Sequence, residues 1–384
     1  MGISRRWGSR PTLMPIHDDR KLPALTGLRF FAAFAVLLSH FTYRGLVEAP
    51  QFFIDFLDGG RTAVSLFFVL SGFILAYNYE MLTGTHERRT FYVNRIARIF
   101  PVVLLSLAVG AIGVTVAVLN PGSGWLLKWY SLKSADPMAL AVSFISQATM
   151  TTGWFPTARI NQPWNGPAWS IACEMFFYML FPFLIVWFRT RRAFMIVVAL
   201  AVVFAIQLAI ILGARAFAPV GQRGFLVSQF PPTHLFDFVV GIAAAVVFLR
   251  GGKEWVAQGR RRTVLLSGSF LSIICISLFK PVDPGYLLLT PLFAVLILAL
   301  AVTPKRRASV LSNGTLLILG EASFSLYLIH VPLMNLYSVF SPPVWAGWLL
   351  MAATVAMSVF VLKRFESPAR RFVKQALTPS VPRR

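Results

Sequence analysis

The sequence predicts an all-α integral membrane protein: a bundle of about ten transmembrane helices plus one short re-entrant or interfacial segment, with both termini inside (N-in, C-in). Three observations carry that expectation. The first is composition, since 57% of the 384 residues are hydrophobic and 13% charged, with a mean hydropathy of +0.70; soluble domains average about 45–50% apolar and about 25% charged. The second is that apolar runs of near-spanning length, about 20 residues, recur along the chain. Hydrocarbon offers backbone N–H and C=O groups no partner, so such runs cross as helices. The third is that Lys and Arg concentrate in alternate connecting segments, the pattern that orients membrane proteins.

The runs fall at residues 24–43, 62–79, 100–119, 168–188, 193–213, 233–250, 264–280, 285–303, 315–341 and 344–362. The apolar stretch 138–150 is too short to cross and is expected to be re-entrant or interfacial. With the N-terminus in the cytoplasm, 27 of the 36 Lys and Arg lie in cytoplasmic segments, 8 in outer segments and Arg29 inside the first span. Treating 138–150 as a full span would move the cluster Arg189, Arg191, Arg192 outside, so charge and length agree. The organisation expected is a basic cytoplasmic tail over 1–23, a transmembrane domain over 24–362 and a second basic cytoplasmic tail over 363–384.

A net charge of +22 would suggest nucleic acid in a soluble protein. Here the basic clusters sit between apolar runs and there is no soluble basic module, so no nucleic-acid partner is expected and the bilayer is the main partner. Cys173 and Cys275 both lie in apolar runs, which leaves no disulfide framework and no cysteine-based zinc site; no metal is expected. The first apolar run follows more than 20 residues that include a basic region, and no small-residue cleavage site follows it, so it reads as a retained helix. The outer segment GWFPTARINQPWNGPAW (153–169) suits interfacial anchoring through its Trp residues or contact with a polar acceptor.

Ionisable side chains inside a bilayer cost on the order of 3 kcal/mol each on insertion scales, so each needs a partner or a task. Arg29 and His40 in the first span, Glu174 in the fourth and His330 in the ninth stand out, with Asp237 near the outer end of the sixth. Arg29 and His40 are eleven residues apart, about three helical turns, and share a face roughly 16 Å apart along the axis. Ser323, Tyr327 and His330 form a polar stripe at i, i+4 and i+7. Counted from the cytoplasmic ends of their spans, His40 and His330 lie at one depth. Glu174, six residues below the outer end of its own span, is expected to converge on them. The competing readings of these groups are an internal structural hydrogen-bond network or the proton relay of a secondary transporter or glycan exporter. At the cytoplasmic end, Arg95 and Arg98 of FYVNRIARIFP read as positive-inside residues or, with Arg29, as a guanidinium cluster suited to phosphate.

These blocks resemble the membrane-bound acyltransferase-3 family of O-acyltransferases over nearly the whole chain. LTGLRFFAAFAVLLSHF is similar to its Arg, ten residues, His signature on the first helix; FFVLSGFILAY, RIARIFP, AWSIACEMFFYMLFP, SFSLYLIHVP and FESPARRF follow in family order. The resemblance implies transfer of an acyl group, usually acetyl, from cytoplasmic acyl-CoA to a carbohydrate hydroxyl of an exopolysaccharide, lipopolysaccharide or glycolipid. It implies His40 as catalytic base with Arg29 as its essential partner, and Arg95 and Arg98 in handling the donor. Glu174, Tyr327 or His330 would orient the base or polarise the thioester. Acyl-CoA is expected as a co-substrate rather than a resident cofactor, and the location expected is the inner membrane. Some members add a soluble esterase-like domain; this sequence resembles the stand-alone type.

Overall fold

The computed structural model describes residues 22–51, 60–79, 81–134, 136–278, 285–303 and 311–378, which fold as α-helices and short turns with no β-strand. The expected tails at 1–21 and 379–384 and the basic segment 304–310 lie outside the described residues. Twelve helices are used below. They are α1 Pro23–Tyr43, α2 Arg61–Asn78, α3 Thr85–Leu119, α4 Pro137–Ala148, α5 Trp169–Thr190, α6 Ala193–Phe217, α7 Leu235–Val247, α8 Gly259–Leu278, α9 Leu289–Ala301, α10 Gly314–Ser338, α11 Val344–Val361 and α12 Ser367–Leu377.

Among the described residues nine helices, counted with their flanking turns, are long and apolar enough to cross a membrane. Nine of the ten expected spans coincide with them. The tenth, 285–303, is α9, only 13 residues of helix. It packs against α2, α7 and α8 and buries Phe293 and Ile297, so it meets mainly protein where a spanning helix would meet lipid. The stretch expected to be too short to cross is indeed the 12-residue α4, whose Asp136 N-cap accepts from the Met138 and Ala139 amides.

One boundary differs from expectation in a way that matters. Residues 85–99 were expected to be a cytoplasmic loop, yet α3 is a single helix of 35 residues, about 52 Å at 1.5 Å per residue. Hydropathy detects only its apolar second half. The first four turns, stabilised by the Glu87 carboxylate accepting from the Thr83 and Gly84 amides, carry Arg95 and Arg98 on a rigid rod.

Tight packing holds the bundle together, because lipid tails give apolar side chains little preference for one another and close backbone approach must supply the attraction. Helices α2 and α7 cross at Gly72 and Gly241. A methyl on Gly72 would meet the Phe238 carbonyl, and one on Gly241 the Val69 carbonyl. Gly241→Val is therefore expected to destabilise the bundle by about 2–3 kcal/mol through overpacking, seen as a lower thermal midpoint in detergent.

Helix α10, which lies along α1, contains Pro332. Proline has no N–H for the carbonyl four residues earlier, which leaves Leu328 O without its helical partner. Asn165 supplies one, its Nδ2 donating to Leu328 O at 2.9 Å and reaching Ser106 Oγ at 3.2 Å. Asn165 belongs to the loop after α4, and the polar face of α4 holds that loop: Ser143 Oγ donates to Ile160 O at 2.6 Å, and Gln147 Oε1 accepts from the Asn165 amide at 3.0 Å. The loop is thereby drawn into the bundle, and its turn Gly166–Ala168 is buried where α5 begins.

Candidate active site

Arg29 and His40 both face the interior from α1, and a row of three cavities runs between their levels. The first, about 500 Å³, is lined by Arg29, Arg95, Arg98, Glu174, Tyr178 and Phe324. The second, about 420 Å³, shares Arg29, Phe67, Glu174 and Phe324 with the first and adds Ser170, Ser323 and Tyr327. The third, about 740 Å³, shares Val64 and Tyr327 with the second and is lined by His40, Arg44, Arg61, Gln162, Trp169 and Gln229. Shared walls set these three cavities in sequence between Arg29 and His40.

At the far end of that row the two histidines expected at one depth touch. His40 Nδ1 lies 2.8 Å from His330 Nε2, with the ring centroids 5.1 Å apart and the ring planes 14° from parallel, so the rings meet edge to edge. His330 Nδ1 lies 2.7 Å from the Tyr327 carbonyl. A carbonyl only accepts, so His330 Nδ1 carries a proton, and in the neutral ring Nε2 accepts. The proton between the rings then belongs to His40 Nδ1, and His40 Nε2 keeps its lone pair with no other hydrogen-bond partner among the described residues. His330 is 1% exposed, whereas His40 is half-buried on the cavity wall. One ring borders the cavity and the other is enclosed behind it.

Tyr327 stands at the partition between the second and third cavities. Its hydroxyl accepts from Ser170 Oγ at 2.8 Å and donates to the Pro167 carbonyl at 3.3 Å. It pins the start of α5 to α10 and makes no hydrogen bond to His40, so it shapes the passage.

Glu174 does not join the imidazoles. It lines the first two cavities with Arg29, Arg95 and Arg98 and accepts from Tyr178 Oη at 2.7 Å. Counting from the span's end places it too near the histidines because α5 begins at a turn already buried inside the bundle. Asp237 also stays apart: Ser65 Oγ donates to it at 3.0 Å, Thr290 Oγ1 donates to its other oxygen, and it ties α2, α7 and α9 together.

At the near end, the Arg95 guanidinium sits about 6 Å from the rings of Tyr79, Phe91 and Tyr178, and Arg98 lies 6.0 Å from the Phe324 ring. Arg95 Nε is buried with no hydrogen-bond partner among the described residues. Residues 22–362 match a family model described as an acyltransferase domain, which covers every site residue named so far. The chain belongs to the acyltransferase-3 family.

Relatives of this acyltransferase-3 protein include named acyltransferases. It is 28% identical over 339 residues to acyltransferase MdmB of Streptomyces mycarofaciens, covering 81% of this chain and 78% of that one. It is 24% identical over 391 residues to the peptidoglycan O-acetyltransferase OatA of Listeria monocytogenes, covering 92% of this chain but 57% of that one. Nodulation protein 10 of Rhizobium leguminosarum bv. viciae is 26% identical over 362 residues, with 90% and 92% covered. No solved structure matches. Family and relatives together make acyl transfer to a hydroxyl the reaction, in a multi-pass membrane protein.

The sequence marks both ends of the row of cavities and, in Glu174, Ser323 and Tyr327, part of its middle. Trp169, Ser170, Gln162 and Gln229 enter from the loop after α4, from the first turn of α5 and from residues near 230; their polarity was visible, their inward placement was not.

Proposed function

We propose that this protein is an inner-membrane O-acyltransferase that moves an acyl group, acetyl in the simplest case, from cytoplasmic acyl-CoA to a carbohydrate hydroxyl on the outer face. The row of cavities from the arginines to His40 carries this reading. It suits a donor with a polyanionic head, a long uncharged arm and a reactive thioester at its tip. The Lys and Arg distribution supports an N-in orientation, which sets the arginine end on the cytoplasmic side, where acyl-CoA is, and His40 on the acceptor's side.

In the proposed step His40 Nε2 takes the proton of an acceptor hydroxyl in the third cavity. The oxygen attacks the thioester carbonyl, the C–S bond breaks, and the proton passes from His40 to the departing CoA thiolate. Imidazole suits this because its ordinary titration range lets it accept and return a proton near neutral pH. The positive charge that His40 gains is held by its fixed contact with His330. Arg29, Arg95 and Arg98 would hold the donor's phosphates through charge-assisted hydrogen bonds, and Glu174 would keep Arg29 directed into the cavities. Trp169, Gln162 and Gln229 offer a ring face and amides to a sugar in the third cavity. The relatives' names include a peptidoglycan O-acetyltransferase, and a cell-envelope glycan is the acceptor class proposed here.

Two measurements test this. Mass spectra of envelope glycans from a deletion strain should lack one acyl mass that the parent carries, and identical spectra would remove the carbohydrate acceptor from the proposal. Arg98→Ala should raise the dissociation constant for acetyl-CoA by about tenfold to a hundredfold, the loss of one charge-assisted contact. Unchanged donor affinity would take Arg98 out of the donor site.

A further inference from the structure

The arginine end is flanked by a helix that the mechanism above leaves without a task. Helix α11 passes through a wide turn, Leu362–Glu366, into α12. Two contacts set the register of α12 against α3. At its start the buried Glu366 accepts from Ser325 Oγ at 2.5 Å, next to Phe324, the ring on which Arg98 sits. At its end the Leu377 carbonyl accepts from Arg89 Nη2 at 3.2 Å. The stretch from Glu366 to Leu377 therefore runs antiparallel to the stretch from Arg98 to Arg89, which places Arg370 and Lys374 alongside Arg95.

Arg370 and Lys374 are one turn apart on one face. Together with Ala369 and Val373 they are half-buried, while Arg371 and Phe372 are exposed. The helix thus turns two cations inward toward other cations. Burial, then Arg98 and Arg95, lower the Arg370 guanidinium from its ordinary value; burial, then Arg370 and Arg95, lower the Lys374 ammonium. Among the described residues, Arg29, Arg95, Arg98, Arg370 and Lys374 share this end with the carboxylates Glu174 and Glu366, which offset part of the positive charge and leave the cations in excess. Arg95 Nε is a buried donor with no partner among the described residues. Such an excess of fixed positive charge at a cavity mouth fits a ligand with several phosphates.

We infer that Arg370 and Lys374 bind the 3′-phosphate of the CoA adenosine, while Arg95 and Arg98 take the diphosphate. The order follows from connectivity. The pantetheine arm enters the cavities, the diphosphate joins it at the cavity wall, and the 3′-phosphate lies one nucleoside further out, where α12 flanks α3. This assignment rests on the acyl-CoA reading above.

The experiment compares CoA with dephospho-CoA, which lacks only that phosphate, by titration calorimetry on the full chain in neutral detergent. The native protein should bind CoA at least about tenfold more tightly than dephospho-CoA. In the double variant Arg370→Gln, Lys374→Gln, CoA should bind as weakly as dephospho-CoA, whose affinity should not move. A variant that keeps the preference overturns the assignment. Loss of dephospho-CoA binding as well would make α12 a brace, which also overturns it. Unchanged CoA binding with less co-purified phosphatidylglycerol would reassign the cations to lipid headgroups. If the native protein binds neither nucleotide, the acyl-CoA reading itself fails.

Discussion

His40→Ala is expected to lower acyl transfer by about 10³-fold, within the range that a general base contributes, without weakening donor binding. The separation follows from position. His40 lines the third cavity, whereas Arg29, Arg95 and Arg98, proposed to hold the phosphates, line the first, and Tyr327 and Val64 stand between. Label transfer from acetyl-CoA to envelope glycan reads the loss, and calorimetry with CoA reads the preserved binding. Full activity in a properly inserted His40→Ala protein would refute the base assignment. A parallel loss of CoA affinity would show instead that the bundle had collapsed around the missing ring.

The second large effect is expected at His330. Its Nδ1 proton is committed to a main-chain carbonyl, so its Nε2 presents an acceptor to His40 Nδ1 and selects the His40 tautomer with a free Nε2. His330→Phe keeps a ring of similar size but removes the acceptor. Without it His40 can carry its proton on either nitrogen and can turn in the cavity, and transfer should fall by about 10²-fold or more; a wrongly held tautomer is costly in other catalytic histidine systems. His330→Gln restores an acceptor oxygen and should recover part of the rate. The diagnostic is a lower turnover number with unchanged acetyl-CoA affinity. Equal activity in the Phe and Gln variants would mean that His330 only fills space.

Much of the architecture was legible because hydropathy reports the length of helix that must face lipid, and nine expected spans coincide with helices. The facing of Arg29 and His40, and the shared depth of His40 and His330, followed from helical periodicity alone. What periodicity could not supply was the point at which each helix enters the bundle. Glu174 was placed with the histidines because α5 was counted from a membrane surface, when it starts from a buried turn. Arg95 and Arg98 read only as cytoplasmic charges at the start of the third span, because the polar half of α3 carries no apolar signal although it is helical. Arg370 and Lys374 read as ordinary positive-inside charges, since nothing in SPARRF states that one face of α12 turns back onto α3. In each case the missing information was tertiary: which face of a helix, or which end of a loop, another element covers.

Pro332 has a consequence for how the outer loop is held in this scaffold. The gap it opens at Leu328 is a fixed socket for Asn165, so the short run from Asn165 to Trp169 is anchored at one end by α10 and at the other by the onset of α5. A shift of one residue inside that run would carry Trp169 off the catalytic chamber. Upstream of Asn165 the chain is held in turn by α3 and α4, with the Trp164 carbonyl against Gly110, Trp164 Nε1 donating to the Leu140 carbonyl and Ser143 Oγ donating to the Ile160 carbonyl. The exposed flank of α4, with Met138 and Ile145 on its surface, can change chemistry without touching the His40–His330 pair, whereas the segment before it is tied to α10 by Asn335 Nδ2 donating to the Trp129 carbonyl at 3.2 Å. The single missing backbone hydrogen at Pro332 therefore fixes the point at which the whole outer loop is docked beside the His40–His330 pair.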